Sequence, residues 1–80
     1  MPSALRNGPY RLFFWSKEND EPPHVHVERD RLEAKFWLEP LVELAQNWGF
    51  APHELNTIRR LVEEHRQTLL EKWHEHFDQA

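Results

Sequence analysis

PPHVHVERDRLEAKFWL, residues 22–38, decides the fold. Pro22 and Pro23 lack backbone donors, so a strand can begin only after them. From His24 to Arg29 apolar and polar residues alternate with a period of two, the signature of a half-buried strand. Asp30-Arg31 supplies a tight turn, and Leu32 to Leu38 returns as a second strand. A two-residue turn fixes the register: Val25 opposite Phe36, Val27 opposite Ala34, His26 opposite Lys35, His24 opposite Trp37 and Glu28 opposite Glu33. The valine face is predicted to be buried and the histidine face partly open.

Outward from this hairpin the chain divides simply. Gly8-Pro9 precedes Tyr10-Arg11-Leu12-Phe13-Phe14-Trp15, rich in β-forming aromatics. A polar loop, 16–23, leads to the hairpin. Beyond Pro40, Leu41 to Ala45 reads as a short edge strand or a single helical turn. The last third is helical. Pro52 suits the first helical position, and Glu54 suits the positive end of the helix dipole, whereas Ala51 is a poor N-cap. Leu55, Ile58, Val62, His65, Leu69, Trp73 and Phe77 form one stripe, flanked by Leu61 and Leu70. The expected architecture is α+β in a single domain over 1–80: a small antiparallel sheet of three to four strands within 9–46, packed on a long C-terminal amphipathic helix over about 52–77.

A helix from 54 to 77 is about 36 Å long, against about 20 Å for a six-residue strand. Such a sheet cannot cover the whole stripe. Either the helix breaks near His65, or its second half is buried against another chain. The expected interface is Trp37, Leu69, Leu70, Trp73 and Phe77. Four tryptophans and five phenylalanines exceed what so small an interior encloses, which adds to the expectation of a homo-oligomer or a small cognate protein partner.

Eighty residues make one core, and the chain has no cysteine, so neither disulfides nor thiolate metal sites contribute. The net charge of −4 and the lack of a basic run argue against direct nucleic-acid binding. No segment has the ~20 apolar residues of a membrane span, and the first residues carry no signal-like run. A cytoplasmic protein is expected.

Gly8 to Phe14, Glu21-Pro22-Pro23-His24-Val25-His26-Val27, Ala34 to Leu38, Asn47-Trp48-Gly49-Phe50, Val62 to His65 and Leu70 to Trp73 occur in order. In these residues the chain closely resembles the small prokaryotic family catalogued as domain of unknown function 4160, whose most specific motif is the Pro-His-Val-His-Val box. The resemblance implies a compact α+β domain and a place in a small two-gene module of toxin–antitoxin type. It implies no established activity.

His24 and His26 project from one face of their strand, as two ligands of a zinc or similar divalent ion would. Glu28 on the same face is the third ligand in that reading, with Glu21, His53 and His65 as other candidates. A metal-free reading makes His24 and His26 general acid–base groups, with Lys35 or Arg11 stabilising developing charge. Either would make a nuclease or hydrolase centred on the His-Val-His strand. The plainer reading needs no cofactor. The imidazoles pack beside Trp37 and Trp15 and fix the proline-led entry, and the chain is a protein-interaction module, one component of a toxin–antitoxin-like pair or a homodimer.

Overall fold

The computed structural model describes residues 3–15 and 20–77, with side chains from Ala4 onward. Five strands are followed by two helices: β1 (Ser3–Asn7), β2 (Tyr10–Phe13), β3 (His24–Arg29), β4 (Leu32–Trp37), β5 (Glu43–Trp48), α1 (Pro52–Glu64) and α2 (Arg66–Phe77). The strands pair in sequence order, each antiparallel to the next. The fold is α+β, with five strands rather than the expected three to four. The addition is β1, which Gly8, at φ 57°, turns back onto β2. The Leu41–Ala45 segment resolves as a strand, shifted to 43–48.

The β3–β4 register is the one that the two-residue turn predicts, from His24 opposite Trp37 to Arg29 opposite Leu32. Asp30 takes the left-handed conformation at φ 57°, which a short polar side chain tolerates. Leu38 donates its N–H to the Pro23 carbonyl (2.9 Å), closing the hairpin's open end. β5 joins β4 with a bulge: Lys35 faces Gln46 and Phe36 faces Leu44, leaving Ala45 as the extra residue.

The expected single long helix is broken at His65. That residue leaves helical geometry (φ −105°, ψ 13°), and both its N–H (3.2 Å) and its ring Nδ1 (3.0 Å) lie on the Leu61 carbonyl. A side chain drawn to a helix's own carbonyl bends the helix there, while the i→i−4 bonds from His65 and Leu69 carry across the break. Arg66 then fastens the start of α2 to the end of β4, donating from Nε to the Leu38 carbonyl (2.7 Å).

The break answers the length problem within one chain. Ile58, Leu61 and Val62 of α1 share a core with Leu12, Val25, Val27, Ala34 and Phe36, so α1 covers the valine face. α2 runs across the strand ends. It passes from Leu38 past His24, where Trp73 meets the imidazole, to Phe14 and on to β1. Three of the five residues expected at an interface lie inside this chain. Leu69, Leu70 and Trp73 are buried in the chain's own core, and Phe77 packs half-buried against Phe14. Trp37 is half-buried as well. Among the described residues, the large apolar side chains left exposed are Trp15, Leu41, Leu44 and Trp48.

Candidate functional site

Strand alternation puts His24, His26 and Glu28 on the face opposite α1, beside Phe13 from β2 and Glu33, Lys35 and Trp37 from β4. The expectation of a partly open histidine face is not met. His24 is 0 % exposed, His26 3 % and Lys35 8 %. The cover was not visible in β-strand periodicity because it comes from elsewhere: Trp73 on α2, Trp15 after β2, and Glu21 on the loop ahead of the prolines.

His24 donates from Nδ1 to the Pro22 carbonyl (2.9 Å), so its ring pins the proline turn. The same ring lies against Trp73 (5.0 Å between centroids), His26 (5.3 Å) and Trp37 (5.6 Å), the last two edge-on. His26 donates from Nδ1 to Glu33 Oε2 (3.0 Å) and stacks on Phe13 (5.4 Å, 24°). Lys35 donates from Nζ to Glu21 Oε1 (2.5 Å) and stands over the Trp37 ring (4.7 Å). The same Glu21 oxygen is 3.8 Å from His24 Nδ1.

Each sequence-predicted residue thus has a definite place. His24, His26 and Lys35 do come together. Glu28 does not join them, because its carboxylate is paired with Arg11 (2.9 Å). Arg11 in turn lies over Phe13 (4.6 Å). Glu33, which sequence reading passed over, partners His26 instead; it lies diagonal to His26 across the hairpin and is within reach of a long side chain. Among the described residues, no group of three His, Asp or Glu side chains is arranged to hold a metal ion. His53 is exposed on α1, and His65 is engaged with the Leu61 carbonyl.

Chemically the cluster is a set of closed pairs behind aromatic walls. Both imidazoles are oriented through Nδ1, as a ring that holds a loop would be. A groove of about 410 Å³ lies elsewhere, between the β1–β2 turn and α1, lined by Asn7, Pro9, Tyr10, Thr57, Arg60, Leu61 and Glu64.

A second polar knot ties α1 to the sheet. Arg29 grips Glu54 through Nε (2.6 Å) and Nη2 (2.8 Å), and Tyr10 donates its hydroxyl to the same carboxylate (2.8 Å). The Arg29 hydrogen bonds hold the Glu54 carboxyl below its ordinary value, against the opposing effect of burial, with the Tyr10 bond adding to the lowering. Burial first, and then the bond to Glu54, pushes the Tyr10 phenol up.

The family model described as "Domain of unknown function (DUF4160)" matches residues 10–74. The match includes the Pro-His-Val-His-Val box and most of both helices, and the chain belongs to this family. No curated protein and no solved structure gives a match. Among the described residues, no helix is long and apolar enough to cross a membrane.

Proposed function

We propose that this chain is a small protein-interaction module, one component of a toxin–antitoxin-like two-protein pair or a homodimer. The observation that carries this reading is the apolar edge at β5. Among the described residues, Leu41 (57 % exposed), Leu44 (41 %) and Trp48 (46 %) are three of the four large hydrophobics left at the surface, and all lie on or beside one strand. The other sheet edge, β1, meets α2 and buries Ala4. Burial of His24, His26 and Lys35 supports a packing role for them, which leaves the surface, rather than a catalytic centre, to carry the function.

Sedimentation of the chain, alone and with the product of the adjacent reading frame, tests the proposal. Association in either setting, weakened by Leu44→Lys and Trp48→Ser, is the expected result. A chain that sediments as a monomer in both settings would end it.

A further inference from the structure

We infer that the occupant of the β5 edge is a second copy of this chain, paired antiparallel so that the two sheets become one ten-stranded sheet. This rests on the interaction reading above and names its partner.

The β5 bulge at Ala45 selects this partner. The β4 partners assign each β5 side chain to a face. Glu43, Gln46 and Trp48 stand with Trp37, Lys35 and Glu33 on the histidine face. Leu44 and Asn47 stand with Phe36 and Ala34 on the helix face. A regular strand would put residues five apart on opposite faces. The extra residue, Ala45, puts Glu43 and Trp48 on the same one, and likewise Leu44 and Asn47. The faces of the residues flanking the bulge, Glu43 with Trp48 and Leu44 with Asn47, therefore read the same in both directions about the point between Ala45 and Gln46.

Antiparallel neighbours must share a face at every pair. A two-fold axis between Ala45 and Gln46, perpendicular to the sheet, satisfies that requirement at the pairs that flank the bulge. It sets Glu43 opposite Trp48 of the second copy, Leu44 opposite Asn47, and Ala45 opposite Gln46. Glu43 is the one charged residue in the strand. In this register it lies about 17 Å from its twin, so no like charges meet. β5 has no lysine or proline to guard it. The bulge that blunts an edge toward a regular strand is met here by its own copy at the same level. The contact is isologous, so it closes at two chains.

The chain has no cysteine, which makes register directly readable. In light scattering the purified chain at micromolar concentration runs as a dimer, and Leu44→Lys runs as a monomer with unchanged circular dichroism. Added salt tightens the dimer, because each copy carries a net charge of −4. Under mild oxidation Ala45→Cys cross-links to itself. Glu43→Cys and Trp48→Cys do so only when mixed with each other. A monomeric wild-type chain overturns the inference, as does a dimer that Leu44→Lys leaves intact and Ala45→Cys does not trap. If the monomer nonetheless binds the neighbouring gene's product through Leu44 and Trp48, the interaction reading stands and the second copy alone is ruled out.

Discussion

Glu21 Oε1 sits 2.5 Å from Lys35 Nζ and 3.8 Å from His24 Nδ1, so one carboxylate oxygen on a loop pairs with a cation on β4 and stands near a ring on β3. Lys35 has a side chain only 10 % exposed, whereas Glu21 is 40 % exposed. The lysine is therefore the partner that suffers when the pair is broken. Glu21→Gln is expected to cost about 1–2 kcal/mol, less than a fully buried pair because water reaches the carboxylate. Lys35→Met in the same background should recover most of that loss. Urea unfolding of the single and double variants measures it, and a double variant no more stable than Glu21→Gln would contradict the account.

His24 pins the Pro22 carbonyl and fills the space between Trp73, Trp37 and His26. His24→Ala is expected to destabilise by about 3 kcal/mol, combining a cavity with a carbonyl that loses its donor. The same packing account requires no metal. Treatment with a chelator should leave the thermal midpoint of the wild-type chain unchanged, and bound zinc in untagged protein would revive the metal-site reading of His24 and His26.

The hairpin was legible in the sequence because a period of two and a two-residue turn fix side-chain parity completely; one residue of slip would exchange Val25 with His26 between faces. β1 was not legible, since Ser3–Asn7 offers only Ala4 and Leu5 as apolar residues and no alternation. The helix break near His65 was legible only as one of two outcomes of the length mismatch, and local pattern did not choose between them. The apolar stripe continues in phase through His65 with neither glycine nor proline, and what ends α1 is a histidine ring turned onto Leu61 beside an arginine drawn to Leu38. The candidate site was half legible. His24, His26 and Lys35 share a face as the register requires, but their burial depends on Trp73, forty-nine residues beyond His24, and no local pattern reports that.

Acid should loosen the tie between α1 and the sheet. Glu54 is held below its ordinary 4.5, chiefly by the Arg29 hydrogen bonds. Because its folded-state value lies below the unfolded one, its contribution is complete above about pH 4.5 and is lost as the pH falls through the folded-state value. Tyr10 has the opposite sign. Its raised value makes its contribution complete below about pH 10 and lost as the pH rises through the folded-state value. Glu54→Gln should flatten the acid limb of stability against pH and lower the phenol's titration midpoint, which absorbance titration follows. An unchanged acid limb would remove Glu54 from the account.

The sharpest test of a chain that shelters its own helical stripe compares two leucines. Leu69 on α2 is 0 % exposed, while Leu44 on β5 is 41 % exposed. Were α2 extended away from the sheet, Leu69 would be the surface residue, and truncating it would cost little to a single chain. With α2 folded across the strand ends, Leu69→Ala removes a buried side chain and should cost about 2–5 kcal/mol. Leu44→Ala in the monomeric Leu44-edge context should stay within about 0.5 kcal/mol, because a surface truncation leaves no cavity. Chemical denaturation at concentrations spanning the association range separates the two effects. The Leu69→Ala penalty should be independent of protein concentration, whereas any penalty from Leu44→Ala should grow with it. A concentration-dependent Leu69→Ala penalty would mean that this leucine is sheltered by another molecule after all.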